Sequence, residues 1–88
     1  MKKIPFTPLY WRTLIRNNSV RFLHQFVFDE CPFIGEEVVC YLHRPLKNGS
    51  FPKGLSCVVR FSQKMVPADP RNYWYDVVVE ILPLSDDL

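Results

Sequence analysis

The chain of 88 residues contains only three glycines, and this scarcity excludes one class of site. A phosphate-binding loop needs several closely spaced glycines so that the backbone can approach the phosphates. Cys31, Cys40 and Cys57 lack a Cys-x-x-Cys pair, and His24 and His43 fall on different predicted strands without a cysteine pair beside them. The sequence therefore predicts no glycine-rich nucleotide loop and no metal centre, and we expect no cofactor.

Long apolar runs are also missing. No stretch approaches the roughly 20 apolar residues that span a bilayer, and prolines and arginines interrupt the segment after Met1-Lys2-Lys3 where a signal peptide would be apolar. The odd number of cysteines argues against a disulfide framework, so we interpret the cysteines as small, reduced core residues. We expect a soluble, cytoplasmic protein that does not bind membranes.

Acidic residues are absent from positions 1–28 and again from positions 38–67, and each of these segments carries five bases. The acids are concentrated in 29–37 and in the C-terminal segment, and the net charge is +2. Such segregation can create a basic patch on a nearly neutral protein. Mutual neutralisation of the segments after folding is the alternative interpretation.

The segment 35–61 is the clearest structural signal in the sequence. Two runs of alternating apolar residues flank a loop containing Pro, Asn, Gly and Ser, which is typical of a β-hairpin with a long connection. Alternation places every second residue on one face, and we predict that this face and the matching face of the last strand are buried. The predicted buried residues are Val38, Cys40, Leu42, Cys57, Val59, Phe61, Val77 and Val79.

The remaining segments complete the predicted fold. A short strand at 4–7 precedes a helix at 8–16, which Thr7 can cap and Pro8 can begin. A strand at 19–28 is apolar on both faces, which favours a central position or a barrel; 62–72 reads as a loop, and a last strand follows at 73–82. We predict a single α+β domain over residues 1–88: a small curved antiparallel sheet, or partly closed β-barrel, of about five strands with one N-terminal helix.

No arrangement of residues in the sequence supports catalysis, so we expect no enzymatic activity. Bases and aromatics instead gather on the predicted helix, on the outward hairpin face and in the hairpin loop. Arginine and lysine neutralise phosphates, and aromatic rings stack on unpaired bases, although a merely solvated face is the alternative. The candidate nucleic-acid-binding residues are Arg12, Arg16, Tyr41, His43, Arg44, Lys47, Lys53 and Arg60.

The turn Gly35-Glu36-Glu37 leads into the strand residues Val38-Val39, after a short strand, a helix and a second strand. In this order of elements the chain resembles the ASCH/PUA-like superfamily, which comprises small β-barrels associated with RNA or modified nucleotides. The resemblance implies a PUA-like binding fold and adds Arg21 to the candidate residues, because it matches a basic position of the family. The Lys, Thr and Glu of members with an amidohydrolase-type activity are not recognisable here, so the resemblance implies binding rather than catalysis.

Two functional hypotheses follow. The first is a nucleic-acid or nucleotide-binding module that contacts RNA or DNA in a cleft between the N-terminal helix and the hairpin face. The alternative is a small protein-interaction module, an adaptor or inhibitor, that docks on a larger protein such as a nucleic-acid-processing enzyme. The small size and the acidic segments suit this alternative.

Overall fold

One helix and a five-stranded sheet make up the protein in a computed structural model that describes residues 2–26, 30–69 and 71–83. The sheet curls into a half-barrel with the strand order β1-β3-β4-β5-β2, which confirms the predicted α+β class. The elements in chain order are β1 (Lys2–Phe6), α1 (Pro8–Asn17), β2 (Ser19–His24), β3 (Glu37–Leu42), β4 (Leu55–Met65) and β5 (Trp74–Ile81).

The sheet is mixed rather than fully antiparallel. β1 runs parallel to β3, whereas the pairs β3–β4, β4–β5 and β2–β5 are antiparallel. A parallel pair needs a crossover connection, and α1 together with β2 supplies it by carrying the chain from one edge of the sheet to the other. β1 and β2 are therefore the two edge strands.

Helix α1 begins and ends where its sequence signals predict, within one residue. The Thr7 side chain accepts a hydrogen bond from the Tyr10 backbone N–H at 3.3 Å, and Pro8 occupies the first turn. Asn18 closes the helix with φ of 60°, a left-handed conformation that asparagine tolerates. Trp11 and Leu14 are the buried residues of the helix, and through them α1 packs on the concave face of the sheet.

The core lies between α1 and the concave face of the sheet, and its centre is aromatic. The ring of Phe6 packs edge-on against the rings of Trp11 and Phe22, with centroids 6.4 and 4.9 Å away. Seven of the eight residues predicted to be buried are buried: Val38, Cys40, Leu42, Cys57, Val59, Val77 and Val79.

The prediction for Phe61 is wrong because a β-bulge interrupts β4 between Val59 and Phe61. The extra residue, Arg60, shifts the alternation, so Phe61 lies opposite Val78 on the outer face of the sheet. The guanidinium of Arg21 covers the Phe61 ring at 4.8 Å. Because of the bulge, the Phe61 ring packs against the Arg21 guanidinium on the outer face instead of against the core.

Two strand predictions also need correction. β2 is an edge strand, not a central one, and Leu23 on its outer face is 57% exposed. The predicted extension of this strand to residue 28 lies partly outside the described residues. β4 continues to Met65, where the polar sequence had suggested a loop from residue 62, because Ser62 to Met65 pair with the apolar strand β5.

Both buried cysteines are core residues, as predicted. Cys40 and Cys57 are fully buried on the concave face of neighbouring strands, and both are free thiols. A hydrogen bond with the Cys57 thiol and burial raise the pKa of Cys40. Cys40 therefore stays a neutral thiol at physiological pH and acts as a small apolar side chain.

His24 makes the stability of the fold dependent on pH. Its ring lies between Phe22 and Phe26, with centroids 6.1 and 4.6 Å away, and burial, together with the nearby His43, lowers its pKa. The unfolded chain therefore binds this proton at a higher pH than the folded chain. We expect the free energy of unfolding to fall as the pH drops below the unfolded value of about 6.5.

Urea unfolding at pH 7.5 and pH 5.5 measures this dependence, with His24→Phe as the test variant. The phenylalanine keeps the aromatic contacts and cannot take up a proton, so the variant should lose less stability on acidification than the wild type. An identical pH dependence in the two proteins would assign the effect to other groups.

Candidate nucleic-acid interface

The outer face of β1 and β3 brings a basic residue beside an exposed aromatic ring. The register pairs Lys3 with Val39 and Pro5 with Tyr41, so Lys3 and Tyr41 project from the same face of neighbouring strands. Cys40 and Leu42 point into the core on the other side, and the Tyr41 side chain is 37% exposed. Tyr41 thus lies where the hairpin alternation predicts, on the surface that faces away from α1.

A shallow groove of about 450 Å³ runs beside this ring. We call it the Tyr41 groove, and it is lined by Lys3, Val39, Tyr41 and Gly54. A Cβ atom at Gly54 would lie 2.9 Å from Cγ1 of Val39 and 3.4 Å from the backbone oxygen of Cys40, so the groove depends on the absence of a side chain at Gly54.

Hydrogen bonds from His43 link the start of the hairpin loop to the end of β1. Its backbone N–H and its ring Nδ1 both approach the backbone oxygen of Phe6, at 3.2 and 2.6 Å. Because a carbonyl oxygen only accepts, Nδ1 carries the hydrogen and donates it. This candidate residue therefore has a structural partner in the backbone of β1.

Internal hydrogen bonds shape the loop that carries the other bases. The Leu46 N–H donates to the Ser50 oxygen at 3.0 Å, and the Gly49 N–H donates to the Leu46 oxygen at 2.8 Å. The Asn48 side-chain oxygen accepts from the backbone N–H and the hydroxyl of Ser50 at 3.0 and 2.7 Å. This turn holds three exposed bases near the same end of the hairpin: Arg44, Lys47 and Lys53.

Two of the candidate arginines are paired with acids of β5. The Arg21 Nε and Nη2 atoms donate to the two carboxylate oxygens of Asp76, each at 3.0 Å, and these hydrogen bonds and the Asp76 charge raise the pKa of Arg21. Arg60 Nε lies 3.6 Å from the Glu80 carboxylate. These pairs neutralise the outer face of β2, β4 and β5, away from the Tyr41 groove.

The other five candidate bases form no ion pair within residues 2–26, 30–69 and 71–83: Arg12, Arg16, Arg44, Lys47 and Lys53. They belong to two separate surfaces. Arg12 and Arg16 lie on the solvent side of α1, in a groove of about 380 Å³, and α1 covers the concave face of the sheet. Tyr41 projects from the opposite face, so the structure does not form the expected cleft between the helix and the outward hairpin face.

Sequence reasoning did not find Lys3 and Gly54. Lys3 follows Lys2, whose Nζ instead donates to the Cys31 oxygen at 3.0 Å and to the Glu36 carboxylate at 3.3 Å. Lys3 is exposed, whereas Lys2 is partly buried and Ile4 is buried. This alternation places Lys3 on the outer face of β1. Its neighbour Tyr41, however, becomes visible only once the parallel register of β1 and β3 is known.

A different part of the outer face is apolar. Met65 and Trp74 pair across β4 and β5, and Leu23 lies on the same face of β2. All three are large exposed side chains, and Val66 beside Met65 is exposed as well. This cluster is separated from the Tyr41 groove along the sheet order.

Within the described part of the chain, no helix has the length and hydropathy to cross a membrane. Comparisons of the chain with models of protein families, with curated proteins and with solved structures found no match. The family resemblance suggested by the order of elements therefore stays a prediction.

Proposed function

We propose that this protein is a nucleic-acid-binding module without catalytic activity, which binds through the outer face of β1 and β3 and the adjoining hairpin loop. One observation carries the proposal: the exposed ring of Tyr41 lies beside Lys3, at the end of the hairpin where the loop presents bases without acidic partners among the described residues. Basic side chains bind phosphates, and an exposed aromatic ring stacks on a base.

The charges around Tyr41 support this assignment. Arg44, Lys47 and Lys53 are exposed residues of the loop that follows β3, the strand that carries Tyr41. Glu37 shares the outer face of β3, but it is four residues from Tyr41, or roughly 13 Å along an extended strand. The surface near the ring therefore favours an anionic ligand.

The ASCH/PUA-like resemblance points to the same class of function and is part of the proposal. Arg21, which that resemblance adds, and Arg60 are weaker candidates for phosphate contacts, because Asp76 and Glu80 already pair with them. A cytoplasmic location also belongs to the proposal, and free thiols at Cys31, Cys40 and Cys57 agree with a reducing compartment.

Salt-dependent binding tests the proposal. Fluorescence anisotropy of labelled single-stranded RNA and DNA oligonucleotides at 50, 100 and 200 mM salt should show log K falling linearly with log salt, with a slope of roughly −0.7 per phosphate contact. Four contacts from Lys3, Arg44, Lys47 and Lys53 would give a slope of about −3. Absence of binding at 50 mM salt would exclude the proposal.

Arginines on the helix provide the matched control. Arg12→Gln and Arg16→Gln remove exposed charges from the opposite side of the molecule. If the outer face is the interface, these variants keep the wild-type slope. A slope reduced by roughly 0.7 in either variant would place the interface on α1 instead.

The apolar cluster of Leu23, Met65, Val66 and Trp74 favours a second candidate, a protein-interaction module. Exposed apolar patches on small proteins often mark contact sites for other proteins. A Met65→Ser/Trp74→Ser variant should then lose a specific partner that the wild type retains after nuclease treatment of a lysate. Capture of the same proteins by both forms would contradict this alternative.

A further inference from the structure

The Tyr41 groove presents an exposed aromatic ring to a ligand. It lies between the Tyr41 ring and the Lys3 side chain, and the missing side chain at Gly54 leaves room beside Val39. Bases within a duplex are stacked on each other and expose only their edges, whereas an unpaired base offers a whole face to an aromatic ring. An exposed ring in a groove therefore favours a single-stranded ligand over a duplex.

Two lysines near the groove indicate that the ligand carries phosphates as well as a ring. Lys3 is an exposed residue of β1 that lines the groove, and Lys53 is an exposed loop residue directly before Gly54. Neither lysine has an ion-pair partner among the described residues. An extended strand carries one phosphate on each side of every base, so Lys3 in the groove and Lys53 next to the groove residue Gly54 supply two bases for a single nucleotide step.

We propose that the Tyr41 groove binds one unpaired nucleobase of single-stranded RNA or DNA, stacked on Tyr41, while Lys3 and Lys53 contact the flanking phosphates. This inference rests on the proposed function and specifies its ligand. Lys3 is the new binding residue, and Gly54 is the residue that opens the site. Phosphate contacts carry no sequence information, so binding is tolerant of base sequence.

The experiment compares a labelled 12-nucleotide oligothymidylate, the matching oligouridylate and a 12-base-pair duplex by fluorescence anisotropy. The wild type should bind the two single strands at least tenfold more tightly than the duplex. Tyr41→Ala should weaken single-strand binding roughly 5- to 150-fold without changing the salt slope, as for a lost stacking contact. Tyr41→Phe should retain the affinity, and Lys3→Ala should reduce the slope by roughly 0.7.

Filling the groove gives an independent test. Val39 is partly exposed and projects from the outer face beside Tyr41. Val39→Leu adds bulk at the wall of the groove, so this variant should fold and lose single-strand affinity. Trp74→Ala removes an exposed aromatic ring from β5, outside the groove and outside the proposed interface, and is the matched control, with an expected change below twofold. Circular dichroism confirms folding of each variant.

The outcomes separate this inference from the proposed function. Equal affinity for duplex and single strands, unchanged in Tyr41→Ala and Val39→Leu, would overturn the base-binding groove and leave a nucleic-acid-binding module that contacts only phosphates. A loss of single-strand affinity in Trp74→Ala as large as in Tyr41→Ala would also overturn it, by moving the stacking contact to β5. Absence of binding to all three probes at 50 mM salt would reject both proposals.

Discussion

Replacing Phe6 with alanine is expected to lower the free energy of unfolding by about 3–5 kcal/mol. Phe6 is 1% exposed, and its ring contacts the rings of Tyr10, Trp11 and Phe22. These partners belong to α1 and to the opposite edge strand β2, so truncation opens a cavity where the helix and both edges of the sheet meet. Urea unfolding followed by tryptophan fluorescence and by circular dichroism measures the loss.

Phe51→Ala is the control of identical chemistry. Phe51 is 62% exposed in the hairpin loop, so its truncation should change stability by no more than about 0.5 kcal/mol. A small loss in Phe6→Ala, comparable to that control, would mean that the aromatic cluster does not hold α1 against the sheet. Both variants lose the same ring, so the difference between their free energies of unfolding measures the effect of burial.

The second large effect concerns binding. Simultaneous replacement of Arg44, Lys47 and Lys53 by alanine should weaken single-strand binding roughly 500-fold at 50 mM salt but only roughly 30-fold at 200 mM salt. These fold-changes assume that each basic side chain makes one phosphate contact and that each contact contributes about 0.7 to the slope of log K against log salt. The loss shrinks as salt rises, because added cations reduce the free energy gained from counterion release.

A double variant on the helix, Arg12→Ala/Arg16→Ala, controls for general charge loss. It should weaken binding far less than the triple loop variant, since these arginines lie on the other side of the sheet. A loss in the triple variant that does not depend on salt would indicate a distorted loop rather than lost phosphate contacts. Equal losses per charge in the loop and helix variants would instead indicate long-range electrostatic attraction without a defined interface.

Local sequence signals were sufficient for most of the fold. Thr7 and Pro8 mark the start of α1, and the alternation in β3 and β5 identifies the buried face because each strand contacts the core on one side only. Phe61 shows where this reasoning fails: a single inserted residue, Arg60, inverts the alternation, and nothing local in the sequence reveals that β5 leaves it unpaired. The edge position of β2 is likewise set by pairing with β5, across more than 50 residues.

Only those residues of the candidate site that are neighbours in the sequence could be predicted. Tyr41 and the loop bases follow from hairpin alternation and from a segment without acids. The partnership of Arg21 with Asp76 depends on strand order, and so does the position of Lys3 beside Tyr41. Sequence alone therefore identified basic residues, and the topology determines which of them are already neutralised.

The place of Pro5 in β1 has a consequence for behaviour at high concentration. The Phe6 oxygen faces β3, where it accepts from His43, so the main-chain groups of the preceding residue face away from β3, towards the open edge. Pro5 has no N–H to offer there, and lysines precede it in the same strand. A strand from another molecule would lack a donor in the middle of this edge, which disfavours aggregation by sheet extension at β1.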